Sequence, residues 1–326
     1  MRGSNEANAG TVSIDATSGL QMDIMWLEDF IKLADEGNFS RAAEARNLTQ
    51  PAFSRRIRAL EDWVGATLVD RDTHRIALTE AGQAFRVLAE EILRRLTLGR
   101  DHVREIGGTL SNEIRFASTH ALSTTFFPAW LRSLHDGHEA GTITLIADHM
   151  VACERFMLEG KADFLLCHHH TAAAHRLDPA GFTSLALGED VLMPVTAPLG
   201  DGAPTHVLPG SADQPMPYLE FEEKSGMGRI LQAAQVISAG SAALRTVFRS
   251  HMATALLSMA RDGRGVCWAP LSLAGPDLES GRLVAAGDAR WHVPIEIRIH
   301  KPIARRSPSV EAFWTMLKNR LKAEAA

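Results

Sequence analysis

A chain of 326 residues, 45% hydrophobic and 22% charged, has the composition of an ordinary globular protein and the length for two or three folded units. No apolar run approaches the roughly 18–20 residues of a membrane span, which excludes a helical membrane protein. Three cysteines without close pairing (Cys153, Cys167, Cys267) argue against a disulfide framework and fit a reducing compartment. The formal net charge of −5 does not favour nucleic acid by itself, so the placement of the charges decides.

Residues 1–21 are small, polar and rich in Gly, Ser and Ala, without the apolar core of an export signal. They read as a disordered leader, folded sequence starts at Met22-Asp23, and a cytoplasmic location is expected. From Met25 to Asp35, Trp26, Leu27, Phe30, Ile31, Leu33 and Ala34 recur at helical spacing, and Gly37 ends that helix. Ser40 is placed to cap a short helix, Arg41–Arg46, whose Ala42, Ala43 and Ala45 allow a second helix to approach closely. Asn47-Leu48 makes a turn. Thr49 then caps a third helix, with Gln50-Pro51 in its first turn, where proline loses no helical hydrogen bond. That helix runs to the neighbourhood of Trp63 and turns Phe53, Ile57 and Leu60 inward.

Two short helices around a tight turn are the helix-turn-helix layout. The outward face of the third helix carries Gln50, Ser54, Arg55, Arg56 and Arg58, and acids return only at Glu61 and Asp62. Such a face suits a DNA major groove, with Gln50 and Ser54 toward the bases and the arginines divided between base edges and phosphates. Ser40, Arg41, Thr49 and Pro51 stand at the helix starts beside it and complete the expected contact set. After Gly65, the stretches Leu68–Arg71 and Ile76–Leu78 flank a basic tip, Thr73-His74-Arg75. They read as a β-wing whose Arg71, His74 and Arg75 follow the sugar-phosphate backbone. The pattern alone equally fits a three-helix bundle with surface arginines.

The residue identities go further. Phe39-Ser40-Arg41-Ala42-Ala43, the run Leu48-Thr49-Gln50-Pro51-Ala52-Phe53-Ser54-Arg55-Arg56-Ile57-Arg58-Ala59-Leu60-Glu61, and Gly65 through Leu78-Thr79-Glu80-Ala81-Gly82 together resemble the N-terminal domain of LysR-type transcriptional regulators. At lower density, Leu158 to Phe164, Ala260 to Pro270 and Gly281-Arg282-Leu283 resemble that family's effector domain. Ser225-Gly226-Met227-Gly228-Arg229 and Ser250-His251-Met252 look similar to the hypochlorite-responsive member of the family. In that subgroup the resemblance implies methionine oxidation as the signal. Met227 and Met252 fall at matching positions, and Leu134 stands where a third methionine is implied.

From Thr79 to Ile106 there is no proline, and Phe85, Leu88, Ile92, Leu96, Val103 and Ile106 form a stripe that includes Gly99. An apolar stripe on a projecting helix needs a partner. Pairing with a second copy is expected, the alternative being packing on the chain's own effector domain; Gly107-Gly108 ends the helix as a joint. Beyond Ser111, strands at Ile114–Ala117, Ile143–Ala147 and Phe164–Cys167 alternate with helices at Phe126–Leu134 and Cys153–Leu158. This is α/β logic with a parallel sheet. The resemblance implies two periplasmic-binding-protein-like lobes. The expected organisation is a winged helix-turn-helix at 22–80, a linker helix at 81–108 and an effector domain at 112–326, with lobe one at 112–187 plus 291–326 and lobe two at 188–290.

Ligands of open α/β sheets bind beyond the carboxyl ends of strands. One such point is Ser118-Thr119-His120 followed by Ser123 and Thr124, where hydroxyls and free amides suit a carboxylate or other anion, or simply cap the helix. A second is Cys167-His168-His169-His170, whose three adjacent histidines lack metal-ligand spacing, so no metal or other cofactor is assigned and His169 is placed on the rim of a cleft. The facing lobe offers Ser225, Met227, His251 and Met252. The expected partners are double-stranded promoter DNA, a small effector or an oxidant, and further copies of the chain as homodimer or homotetramer, with no membrane. Two rival readings are a solute-binding protein without DNA function and an enzyme built on Cys167 and the histidines. Neither G-x-S-x-G nor H-E-x-x-H occurs to support the enzyme.

Overall fold

Residues 22–71, 76–106, 113–134, 142–177, 179–222, 224–237, 242–304 and 306–324 are described by a computed structural model of the chain. The expected leader, the wing tip with His74 and Arg75, and the Gly107-Gly108 joint lie outside them. The chain divides between Arg100 and Asp101 into two compact units, each described by itself.

In the first unit the helical periodicity of the apolar residues closes a small core. It comprises α1 (Ile24–Glu36), α2 (Phe39–Ala45), α3 (Gln50–Val64), a wing of β1 (Val69–Asp70) and β2 (Ala77–Leu78), and the start of α4 (Glu80–Ile106). The wing strands are antiparallel, Val69 opposite Leu78. Leu27, Phe30, Leu33, Phe53, Ile57, Leu60 and Leu68 are fully buried, each contributing on the order of 2 kcal/mol by leaving water. Two expected caps differ. Asn38, not Ser40, caps α2, its Oδ1 accepting from the backbone N–H groups of Ser40 and Arg41, because the helix starts one residue before Ser40. Thr49 occupies the cap position of α3 without a side-chain hydrogen bond. Asn47 makes the turn in left-handed conformation, φ 55°. Gly82 allows the Leu68 carbonyl to lie on α4, since a Cβ there would sit 2.0 Å from that oxygen.

The 27 residues of α4 span about 40 Å at 1.5 Å per residue. Phe85 belongs to the core rather than to an outward stripe, meeting Phe30 edge-on at 5.5 Å. Val87, Leu88, Ile92, Leu96 and Val103 are exposed.

The second unit alternates strands and helices as the sequence leads one to expect. Its first part is β3 (Ile114–Thr119), α5 (His120–Thr125), α6 (Phe127–Ser133), β4 (Ile143–Asp148), α7 (Met150–Leu158) and β5 (Phe164–His169). Then come β6 (Phe182–Thr196), β7 (Met216–Phe221), α8 (Gly226–Ala234), β8 (Leu244–Ser250), α9 (Ala253–Arg261), β9 (Cys267–Pro270), α10 (Leu271–Glu279) and β10 (Val284–Ala285). β11 (Val293–Pro302) and α11 (Pro308–Glu324) close it. The main sheet runs β10-β6-β11-β5-β3-β4, with β9 also on β6, and β7 pairs with β8 separately. It is mixed, not parallel: β4 and β5 lie parallel to β3, whereas β11 is antiparallel to β5 and β6. The late return of the chain as β11 and the antiparallel pairing of β6 with β9 and β10 produce that difference.

Two apolar cores mark two lobes. One gathers Phe116, Phe164, Phe313 and Trp314; the other gathers Leu219, Leu256, Leu257 and Trp268. The long strands β6 and β11 serve both, with Leu185, Leu187, Ile297 and Ile299 in the first core and Leu192, Val195, Val293 and Ile295 in the second. The expected division at residue 188 therefore falls inside a continuous strand.

Candidate DNA interface and effector cleft

On α3, Gln50, Pro51, Arg55 and Arg58 are exposed and Ser54 is half-buried. Ser40, Arg41 and Thr49 are exposed beside them. Arg55 and Arg58 make no ion pair among the described residues, so their guanidinium groups remain available to a polyanion. Arg56 and Arg71 do not share that freedom. Asp29 on α1 is fully buried, and a buried carboxylate requires partners. Its oxygens accept from Arg46 Nε at 2.7 Å and Arg56 Nη1 at 3.2 Å, so Arg56 fastens the recognition helix to α1. Burial works against the Arg46 charge, but the carboxylates of Asp29 and Glu28 outweigh it and hold the guanidinium pKa above its ordinary value. Arg71 is held at the wing by Glu61 at 2.6 Å and lies over the Phe39 ring.

Between the lobes lies a solvent-open cavity of about 440 Å³. Its lining includes Thr119, His120, Ser225, Met227 and His251 from the expected set, together with Asp148, His149 and His168. Three nine-residue helices begin there: α7 after His149, α8 after Ser225 and α9 after Met252. Helix starts present free N–H groups and partial positive charge. His149 caps α7, its Nδ1 accepting from the Ala152 N–H at 3.2 Å. Burial lowers the His149 pKa; Asp148 opposes the shift, and His251, Lys224 and Arg155 reinforce it. The His251 ring packs 5.6 Å from that of His149 and 6.1 Å from that of His120. Glu222 lies 3.9 Å from His251 Nδ1, so the rim carries acids as well as imidazoles. Thr119 Oγ1 and His168 Nδ1 are buried without a hydrogen-bond partner among the described residues. The other ring nitrogen of His168 meets Asp190 at 3.0 Å. On one side of the cavity, Arg229 of α8 donates to both oxygens of the buried Glu154 on α7 at 2.9–3.1 Å, bridging the lobes.

Three expected effector residues stand elsewhere. Ser118 is fully buried, its carbonyl accepting from the Cys153 thiol, because the strand runs two residues further than expected. Met252 sits at the start of α9 outside the lining, exposed, with its N–H donating to Ser250 Oγ. His169 faces away from the cleft, because alternation along β5 sends His168 and His169 to opposite faces. Ser123 and Thr124 bond to the helical carbonyl of His120. Asp148 and His149 were missed although they stand at the end of β4 as Thr119 and His120 stand at the end of β3; the strand-end rule applied twice finds them.

A family model for the bacterial regulatory helix-turn-helix protein of the lysR family matches residues 24–83, and one for the LysR substrate binding domain matches residues 107–322. The HTH-type transcriptional regulator YjiE of Escherichia coli is 30% identical over 297 residues, covering 91% of this chain and 94% of that protein. The full-length hypochlorite-specific regulator HypT of Salmonella typhimurium is 31% identical with a TM-score of 0.55, over 93% of this chain and 99% of the other. Vibrio fischeri DarR, solved with DNA, is 31% identical with a TM-score of 0.53, over 91% and 98%. These relatives are transcriptional regulators, not enzymes, and neither the solute-binding nor the enzyme reading survives the match. The chain belongs to the LysR family, as a DNA-binding transcriptional regulator with a substrate-binding effector domain.

Proposed function

We propose that this regulator reads promoter DNA with Gln50, Ser54, Arg55 and Arg58, pairs two copies along α4, and senses a compact anion in the interlobe cavity. The carrying observation is the meeting of three helix starts at a cavity where Thr119 Oγ1 and His168 Nδ1 are buried without partners among the described residues. Free amides and a hydroxyl donate to an anion without a full countercharge. Wing residues His74 and Arg75 extend the DNA contact along the backbone, as their basic character and place between β1 and β2 favour. The exposed Val87, Leu88, Ile92 and Leu96 favour self-association through α4. Among the described residues no helix is long and apolar enough to cross a membrane, and we place the protein in the cytoplasm with its promoter.

A ligand shifts DNA affinity only by binding one lobe arrangement better than the other, and the Glu154–Arg229 bridge is the contact such a shift strains or tightens. The regulatory domain of the Salmonella typhimurium HypT protein, 25% identical, takes a bromide ion. Titrating halides and small carboxylates into the full chain tests the reading. Saturable binding that is weakened at least tenfold by Thr119→Val or Ser225→Val supports it; binding indifferent to both variants overturns it.

A second reading has its own observation: Met227 lines the same cavity and Met252 is exposed beside it. Hypochlorite acting there would convert each thioether to a polar sulfoxide and disturb the packing. Leu134, buried in the first lobe's core, offers no third sulfur. Promoter affinity that changes on hypochlorite exposure and stays constant in a Met227→Leu, Met252→Leu variant is the expected signature. An unchanged response in the double variant rejects it.

A further inference from the structure

From three imidazoles brought together on the far side of the sheet from the cleft, we infer that the effector domain binds one imidazole-preferring divalent transition-metal ion through His169, His175 and His300. His169 ends β5, His175 folds back from the loop that follows, and His300 lies on β11, the strand paired with β5. One ligand nitrogen from each lies within 4.8 Å of the other two. His169 Nδ1 and His175 Nε2 are 2.7 Å apart, and the His175 ring lies 5.5 Å from that of His300.

Nitrogens bound tetrahedrally to one zinc ion at about 2.0–2.1 Å stand about 3.3 Å from each other. The observed spacings bracket that value, so modest ring rotations close the site. Two further nitrogens, His175 Nδ1 and His300 Nε2, are buried without a hydrogen-bond partner among the described residues. Three polar rings clustered in a largely buried place, sharing a single contact between two of them, are poorly satisfied as a structural network.

The protonation state suits a cation. Burial first, then the neighbouring His175 and Arg298, lowers the His169 pKa; burial with Arg229 and Arg298 lowers that of His175, against Glu154. Burial, with the two other histidines, takes His300 to about 3. These downward shifts favour the neutral imidazole, which is the ligating form. Arg298 and Arg229 stand nearby and would repel a cation, but each is matched: Arg298 Nη1 donates to Glu296 at 2.7 Å and Arg229 to Glu154. His169 also borders a solvent-open cavity of about 840 Å³ whose wall carries Glu189 and Glu296, a route of entry favourable to a cation.

The ligands sit on elements that also shape the effector cavity. His168, next to His169 on β5, lines that cavity from the opposite face, and β11 runs through both lobes. An ion joining β5, its following loop and β11 stiffens the frame against which the lobes move. None of the three ligands belongs to the lining of the cleft, so the site stands whatever the cleft binds.

The test uses untagged full-length chain, stripped with chelator and titrated with Zn²⁺ against a metal-binding dye, with Co²⁺ absorption as a report of geometry. One ion per chain is expected, with a tetrahedral Co²⁺ spectrum. His169→Ala and His175→Ala, each folded by circular dichroism, are expected to weaken binding at least 100-fold, while His149→Ala leaves it within twofold. Less than half an ion per chain in the parent, or equal binding in both variants, overturns the inference. So does loss of binding in His149→Ala alone, which would place the ion in the cleft. His175 lies on a half-buried loop, and the parent's stoichiometry tests the inference even if the His169 variant does not fold.

Discussion

The recognition unit and the effector unit treat buried polarity in opposite ways. In the first, Asp29, the one fully buried carboxylate among the described residues, is answered by two guanidinium groups, and Arg55 and Arg58 face outward. In the second, hydroxyl and imidazole atoms around the cleft and behind it are buried without partners among the described residues, and burial lowers the pKa of its histidines His149 and His300. A completed interior with free surface charge suits a rigid reader of an external polyanion. An interior with unmet hydrogen bonds suits a receptor whose final contacts arrive with a ligand.

The largest expected effect tests the completed side of that contrast. Asp29→Ala leaves Arg46 and Arg56 without their buried acid, and breaking such a pair costs about 3–5 kcal/mol, here toward the low end because both arginines are partly exposed. Hydrogen exchange on the full chain should show α1 to α3 loosened and the effector unit unchanged. Next come the surface arginines. Arg55→Ala and Arg58→Ala should each weaken promoter binding by about 1–3 kcal/mol, reduce its salt dependence and leave the melting temperature alone. Arg56→Ala should lower melting temperature as well, since it leaves Asp29 with one partner fewer. If Arg55→Ala and Arg56→Ala prove indistinguishable in both assays, the division between anchor and reader fails.

A smaller effect of opposite sign tests the receptor side. Thr119→Val replaces a buried hydroxyl that has no partner among the described residues with a methyl group of similar size. The ligand-free protein should gain up to about 1 kcal/mol, because a desolvated and unpaired polar atom is removed. The same change should weaken the anion. Destabilisation instead would mean that the hydroxyl is already satisfied.

This contrast also explains what the sequence made legible. Helical periodicity placed α1, α3 and α4 within a residue or two of their limits, because each buries one face against neighbours close in sequence. The pairing of Arg56 with Asp29 was invisible, since it joins residues 27 apart and an arginine on an outward arc looks free in a helical projection. Strand alternation announced that one of His168 and His169 faces the cleft, but the choice depends on which helices cover which face. His175 and His300 carried no local signal; they meet because β11 returns antiparallel beside β5. The parallel sheet expected from alternating β and α elements failed at that same returning strand and at β6, which is antiparallel to β9 and β10.

The smallest effect near neutrality concerns acid. The His300 pKa falls from 6.5 to about 3 in the folded protein, so the unfolded chain takes up a proton that the native one refuses. Its stabilising contribution is complete above pH 6.5 and is lost progressively as the pH falls toward 3. Between pH 7 and 6 the loss is less than about 1 kcal/mol for this group, and it steepens below. His149, His169 and His175 are shifted in the same direction and add to it. Among the described residues of the first unit the shifted groups act elsewhere on the pH scale: Arg46 and Arg86 are shifted upward and stay charged, and the Glu91 carboxyl, lowered against burial by Arg95 and Arg94, loses its contribution only below its ordinary value of 4.5. Hydrogen exchange of the full chain, chelator-treated and compared at pH 7 and 5.5 after correction for intrinsic rates, should therefore show protection falling in β5 and β11 while α1 to α3 hold. A His300→Gln variant should flatten the decline in β11. Equal loss in both units would mean that acid acts on the whole chain through net charge, and the contrast between a satisfied reader and an unsatisfied receptor would not survive it.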